Sequence, residues 1–311
     1  MPFADLQQAA YIVAREALGR PLTAESKNLL WTANETLKET QAMLFYGRGN
    51  IETDVRDSDG ESSHRILACR NMQYTRDDEL TISAAENNVV MAAIASRARA
   101  GNCAEYKDVA VHLHAIHLGK GDRIVTQFVD GLDHEWARVQ CATPVGGAPG
   151  SGPAAVLDAW ADGPVVEPTD SRHASGTSDE TNDCDRIDSA DGAATYEAFQ
   201  LARNGMREEA KQMSKEAAEL RASQGSLPIT GGMHASIPVV SDAFASSARN
   251  AIDSGSPTTL LVSAVGALLG SPTPPTREQA EAGAAQVVSL ARELDVPFPW
   301  PRNAFLPIDN D

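Results

Sequence analysis

The sequence predicts an α+β fold in which helical regions flank a small antiparallel sheet. Three observations carry this prediction. Apolar residues recur at helical spacing over much of residues 6–44 and 196–294, β-branched residues dominate residues 123–129, and turn residues separate the strand candidates that follow. We therefore expect a core built from helices packed on a few short strands.

Composition excludes several classes of protein. The 311 residues include 26 Lys and Arg against 43 Asp and Glu, which gives a formal net charge of −17. A surface of that sign repels a phosphate backbone, so we expect no nucleic-acid partner. The four cysteines are widely spaced and contain no C-x-x-C pair, which favours free thiols over a disulfide framework or a zinc ribbon.

Membrane and export signals are weak in the sequence. No apolar run reaches the roughly 18–20 residues that a membrane-spanning helix requires, so we expect no transmembrane segment. The first residues, MPFADLQQ, lack the basic-then-apolar pattern of a Sec signal peptide, and Pro2 stands where N-myristoylation requires glycine. These features favour a cytoplasmic protein, and secretion by a non-Sec route remains compatible with them.

The chain divides into four predicted regions. Residues 1–82 form an N-terminal helical region, residues 83–166 a core with the candidate site, and residues 193–311 a C-terminal helical region. Between the last two, residues 167–192 hold almost no large apolar side chain and many Asp, Ser and Thr. Such a segment buries too little apolar surface to offset its ordering entropy, so we predict a disordered acidic linker.

Within the core, a break between two helices is predicted at Gly101 and Asn102. Ser83 and Glu86 have the spacing of a capping box, which predicts a helix from there to about residue 99. Asn102 is a preferred N-cap, so a second helix is expected to begin at Cys103. Three strands are then predicted over residues 123–129, 134–141 and 155–160.

Cys103 is the candidate nucleophile. A helix N-terminus carries roughly half a positive charge, which favours a thiolate over a thiol. The backbone N–H of Cys103 lacks an intrahelical partner there and could stabilise an oxyanion. Asn87 and Asn88 are candidates for a second oxyanion donor, and a solvated helix face is the alternative for them. A buried structural cysteine is the alternative for Cys103.

His134 and Asp158 are the candidate base and its partner. His134 lies at the start of a predicted strand, and Asp158 lies on the next strand, where its carboxylate could accept a hydrogen bond from the imidazole and select its tautomer. Asp162 and Asp133 are alternative carboxylates for this role. Taken singly, His134 could be an ordinary surface histidine and Asp158 a charge at a strand end.

Three short motifs in this order resemble the transglutaminase-like (papain-like) cysteine enzyme superfamily. They are GNCAEYKDVA (residues 101–110), DHEWARV (residues 133–139) and VLDAWADG (residues 156–163). The resemblance implies a nucleophile helix packed on a small antiparallel sheet, with additional helices here on both sides. The residues that match the catalytic motif are Cys103, His134 and Asp158.

Within that superfamily the chain is most similar to the AvrPphE/HopX/XopE group of type III effectors of plant pathogens, through its GNC-x-E segment. This resemblance implies a virulence protein delivered by a non-Sec route into a host cytoplasm, with a host protein as substrate and a secretion chaperone as a further partner. It also implies a cysteine protease, or a glutamine deamidase or transglutaminase. No cofactor is implied.

Other residues give weaker signals. His112, His114 and His117 cluster after Cys103, but no Cys, Asp or Glu at ligand spacing completes a zinc site, so no metal is predicted. Trp160 could line the acyl site, and Cys184 is predicted to be an inert exposed thiol. Two rival functions stay open at this point: a non-catalytic helical interaction protein with a degenerate triad, and an arylamine N-acetyltransferase-like enzyme.

Overall fold

The computed structural model of the protein describes residues 1–79, 84–129, 134–143, 151–175, 178–180, 186–225 and 233–297. These residues form eleven α-helices and an antiparallel sheet of five short strands, which confirms the predicted α+β class. Among these helices, none combines the length and the apolar character needed to cross a membrane.

The helices occupy both ends of the chain and the segment that precedes the sheet. They are α1 (Phe3–Ala17), α2 (Ala24–Met43), α3 (Glu52–Asp57), α4 (Glu61–Glu79), α5 (Ala84–Ala98), α6 (Cys103–His114), α7 (Gly192–Gly205), α8 (Arg207–Gln224), α9 (Asp242–Ser254), α10 (Pro257–Leu269) and α11 (Arg277–Arg292). Helix α1 packs against α10 and α11, and α4 packs against α8. The predicted N-terminal and C-terminal helical regions are therefore in contact with each other.

The sheet lies at the centre of the sequence. Its strands are β1 (Arg123–Val129), β2 (Glu135–Gln140), β3 (Ala154–Leu157), β4 (Ser178–Glu180) and β5 (Arg186–Asp188). Strand β2 pairs with β1 on one side and with β3 on the other, and both β4 and β5 pair with the far side of β1. All of these pairings are antiparallel. Because β2 pairs directly with β3, the strands next to His134 and Asp158 are neighbours in the sheet.

Helix α6 begins at Cys103 for local reasons. The backbone N–H of Asn102 donates to the Glu105 carboxylate over 2.8 Å, which occupies a donor that the helix itself cannot satisfy. Gly101 permits a close approach here, because a Cβ at that position would lie 2.8 Å from the Cβ of Glu105. The apolar face of α6 packs on β1 and β2. Its buried residues include Tyr106, Val109, Ala110 and Leu113.

The prediction of a disordered linker over residues 167–192 is wrong for the part of that segment that the structure describes. Residues Pro168–Asp170 and Arg172–Ser175 form two 3-10 turns, and β4 and β5 add to the sheet. Ser171 also forms an isolated antiparallel bridge with Val240. The described part of the segment is therefore ordered by backbone pairing and by charge pairing.

Asp170 explains why so polar a segment is ordered. Its side chain is 1 % exposed and accepts hydrogen bonds from the Tyr11 hydroxyl at 2.7 Å, from Arg15 Nη1 at 2.7 Å and from Arg20 Nη2 at 2.8 Å. Arg15 also pairs with Glu167. A prediction from composition counts apolar side chains and misses this arrangement, because the buried carboxylate is compensated by Arg15, in the last turn of helix α1, and by Arg20, which follows that helix.

We expect Asp170→Asn to lower the free energy of unfolding by about 3 kcal/mol, because it removes the buried carboxylate that Arg15 and Arg20 share and leaves Arg15 with the less buried Glu167 as its ionic partner. Urea unfolding followed by circular dichroism would measure the change. Asp253→Asn is the matched control: Asp253 pairs with Arg292 over 2.8 Å at an exposed site, where the loss should be within about 1 kcal/mol. Equal losses in the two variants would contradict this account of the segment.

Candidate active site

The structure brings His134 and Asp158 together. Strand β2 begins directly after His134, and β3 ends directly before Asp158, while the pairing of Ala137 with Leu157 places these two strand ends side by side. His134 Nε2 and Asp158 Oδ2 are 2.6 Å apart, and the two residues are 7 % and 3 % exposed. The predicted base and its predicted partner therefore form a buried hydrogen bond.

Asp158 is held as a carboxylate by its neighbours. Burial alone would raise its pKa, but His134 and then His173 hold the pKa of Asp158 well below its ordinary value. Its Oδ1 accepts the backbone N–H of Ala161 over 3.0 Å, and its Oδ2 also contacts His173 Nε2 at 3.3 Å. Because an ionised carboxylate only accepts hydrogen bonds, both imidazoles present a protonated Nε2 to it.

The opposite nitrogen of His134 is the one that is free for chemistry. With Nε2 donating to Asp158, the neutral imidazole has its lone pair on Nδ1. This Nδ1 is buried and has no hydrogen-bond partner among the residues that the structure describes. Burial lowers the pKa of His134, but Asp158 and then the neighbouring Cys103 side chain raise it to about 10. The folded protein therefore favours an imidazolium next to the Cys103 sulfur.

Cys103 differs from the other described cysteines in its surroundings. It is half-buried at the first position of α6, with His134 beside it. Cys69 is fully buried, and burial and then the nearby Glu105 raise the pKa of its thiol well above the usual range. Burial, then Asp122 and Glu25, raise the pKa of Cys141 to about 11. Cys184, predicted to be an inert exposed thiol, lies outside the described residues.

Aromatic side chains enclose the histidine. The Trp160 ring lies 4.8 Å from the His134 ring, and its Nε1 donates to the side chain of Asn50 over 3.2 Å. Trp136 is buried and stacks on His173, with ring centroids 3.9 Å apart and an interplanar angle of 12°. These packed rings leave His134 little freedom to turn away from Asp158.

His173 is the residue of this cluster that the sequence did not point to. It lies in the turn Arg172–Ser175, within the segment predicted to be disordered, and its backbone N–H donates to Ser171 Oγ over 3.1 Å. It is nevertheless buried against Asp158 and Trp136. Neither its spacing nor its neighbours in sequence marks it, because its contacts depend on how Asp170 docks the segment.

The alternative carboxylates have different outcomes. Asp162 pairs with the fully buried Arg48 over 2.9 Å and accepts a hydrogen bond from Ser236, so its oxygens are engaged in a separate ion pair. Asp158, and not Asp162, is the carboxylate bonded to His134. Asp133 lies outside the described residues.

The remaining candidates do not join the cluster by any described contact. Asn87 and Asn88 lie on α5, and Asn88 lines a cavity of about 480 Å³ together with His112, whereas Cys103, His134 and Asp158 are not among its lining residues. The second oxyanion donor thus stays a prediction. His114 is buried with its Nδ1 2.9 Å from Thr36 Oγ1, and burial lowers its pKa to about 3.

One group of side chains in the described part of the chain has the composition and closeness of a metal site. The imidazole nitrogens of His134 and His173 and a carboxylate oxygen of Asp158 all lie within 4.8 Å of one another. In the other histidine cluster, for which no metal is predicted, the rings of His114 and His117 have centroids 5.7 Å apart.

Comparison of the chain with protein-family models, with curated proteins and with solved structures finds no match. The function of the chain is therefore inferred from its residues and their geometry.

We expect Cys103 to react with iodoacetamide faster than Cys69 or Cys141 at neutral pH, because it alone among the described thiols has a base beside it and a helix N-terminus behind it. Mass spectrometry of peptides after a limiting dose of reagent would measure the order of labelling. Cys141→Ala serves as the control and should leave the labelling of Cys103 unchanged. Preferential labelling of Cys69 or Cys141 would contradict the expectation.

Proposed function

We propose that the protein is an enzyme that uses Cys103 as the nucleophile of an acyl-transfer reaction on amide bonds of a protein substrate. The observation that carries this proposal is the 2.6 Å hydrogen bond from His134 Nε2 to the buried Asp158. It leaves Nδ1 as the nitrogen that exchanges protons, and the Cys103 side chain, at the start of α6, is close enough to His134 to raise its pKa. Nucleophile, base and orienting carboxylate are the three parts that such catalysis requires.

In the proposed reaction, the proton of the Cys103 thiol lies on His134 Nδ1, so that the pair is a thiolate and an imidazolium, while Asp158 holds the ring in place. The thiolate attacks the carbonyl carbon of the amide, and the backbone N–H of Cys103 donates to the oxygen that gains negative charge. The imidazolium then gives its proton to the departing nitrogen, which leaves as an amine or as ammonia. Water or another amine releases the acyl group from Cys103 and returns the thiol.

The packing of α6 on β1 and β2 supports a transglutaminase-like or papain-like core. In that arrangement the nucleophile begins a helix, the histidine precedes one strand and the carboxylate follows the adjacent one. The described residues have this order at Cys103, His134 and Asp158. From the resemblance of its motifs we further propose that the protein is a bacterial effector that reaches a host cytoplasm by a non-Sec route, where a host protein is the substrate.

We expect Cys103→Ala to abolish activity and Asp158→Asn to lower it by about 10²-fold or more, because an amide at position 158 favours the wrong imidazole tautomer. Each purified variant would be incubated with a plant cell lysate. Mass spectrometry would then count new peptide termini, conversion of glutamine to glutamate, and glutamine joined to an added amine, which separates the protease from the deamidase and the transglutaminase.

Cys141→Ala is the matched control and should keep full activity, with circular dichroism confirming the fold of every variant. Asp162→Asn is unsuitable as a control because Asp162 compensates the buried Arg48. Full activity in Cys103→Ala would show that the nucleophile is wrong. Inert wild-type protein with an unreactive Cys103 would favour the rival in which the chain is a non-catalytic interaction protein.

A further inference from the structure

Asp158 has one imidazole more than the proposed chemistry needs. A triad uses a single histidine on its carboxylate, yet Asp158 Oδ2 contacts His134 Nε2 at 2.6 Å and His173 Nε2 at 3.3 Å. His173 is held in place by its stacking on Trp136 and by the turn Arg172–Ser175. The result is a buried group of two imidazole nitrogens and one carboxylate oxygen that all lie within 4.8 Å of one another.

We propose that His134, Asp158 and His173 form a binding site for a divalent transition-metal ion of the zinc class. Each residue contributes one donor atom, and the three donors lie within 4.8 Å of one another. Zinc is held at about 2.0–2.2 Å by nitrogen and oxygen ligands, so the three donors can share one ion after movements of the order of an ångström. A fourth coordination position is left for water.

The donor set favours this class of ion over others. Imidazole suits zinc, cobalt, nickel and copper, whereas magnesium and calcium select sites made of oxygen atoms. Asp158 supplies a carboxylate ligand, whose negative charge a buried cation requires. Histidine ligands are neutral when they bind a metal, so the His134 imidazolium releases its Nε2 proton and keeps the one on Nδ1, whereas a neutral imidazole moves its Nε2 proton to Nδ1.

The second histidine cluster is a weaker candidate. His114 Nδ1 is engaged by Thr36 Oγ1 at 2.9 Å, and its ring centroid lies 5.7 Å from that of His117. No acidic residue joins these two in a described group of metal-ligand spacing. His117 therefore provides a matched control for the site at Asp158.

Metal binding at this site has a consequence for the proposed function, and this consequence rests on that function. An ion on His134 Nε2 replaces the hydrogen bond from Nε2 to Asp158. The imidazole then carries its one proton on Nδ1, and giving that proton to the departing nitrogen would leave an imidazolate on the metal. Metal binding and thiol chemistry would therefore exclude each other, and zinc would act as a reversible inhibitor.

Calorimetric titration of the full chain with zinc chloride, after treatment with a chelator and under reducing conditions at neutral pH, tests the site directly. We expect one ion bound per chain, with a release of protons that makes the measured heat vary with the ionisation enthalpy of the buffer. Titration with cobalt would add a visible absorption band whose intensity reports the coordination geometry. No substrate is needed for either measurement.

Substitutions then locate the ion. His173→Gln and Asp158→Asn should each weaken zinc binding by at least about tenfold. Changing a residue that supports a metal ligand typically lowers metal affinity about 10- to 100-fold, and the loss of a ligand itself should cost no less. Cys103→Ser and His117→Gln should bind as the wild type does. Circular dichroism checks the fold, and the two ligand variants are independent, so one unfolded variant leaves the other to report.

Several outcomes would overturn the site. They are the absence of zinc binding by the wild type, unchanged binding in both ligand variants, and loss of binding in Cys103→Ser or His117→Gln, which would assign the ion to the thiol or to the other histidines. Failure of the proposed function is a separate result. Zinc binding that needs His173, in a protein with an inert Cys103, would support the metal site and remove the enzyme proposal.

Discussion

The buried carboxylate of Asp158 is the constraint on which the candidate site depends. A carboxylate without compensation at this depth would be protonated or would destabilise the fold. Here the His134 imidazole, the Ala161 backbone N–H and His173 all donate to it. The same contacts that keep Asp158 ionised also fix the ring of His134 and orient Nδ1. The same hydrogen bonds thus stabilise the buried charge of Asp158 and orient the proposed base.

Two further buried charge networks hold this interaction in place. Arg48, fully buried, donates to Asp54, to Asp162 and, over 2.7 Å, to the backbone carbonyl of Trp160, so it fixes the chain that follows Asp158. Asp170 ties the turn that carries His173 to helix α1. The N-terminal helical region therefore supports the site even though it contributes none of its reacting atoms. A substitution that breaks either network should disturb the position of Asp158 or of His173.

The parts of this arrangement that depend on local sequence could be predicted, and the parts that depend on distant partners could not. The start of α6 at Cys103 follows from Asn102 and its neighbours, and β1 follows from its run of β-branched residues. The choice between Asp158 and Asp162 could not be settled locally, since Arg48 is 114 residues away from the carboxylate it engages. The ordered structure of residues 168–175 could not be predicted, because composition does not reveal which charged side chains will form ion pairs.

The measurement that tests the central claim most directly is the titration of His134 by nuclear magnetic resonance. The protein would be labelled with ¹⁵N-histidine, and the His134 signals would be assigned by their loss in His134→Gln. If Asp158 and Cys103 stabilise the imidazolium as the geometry indicates, the signals should titrate at a pKa of about 10. Titration at or below the ordinary value of about 6.5 would contradict the account, because His134 would then lack the compensation by Asp158 that the site requires.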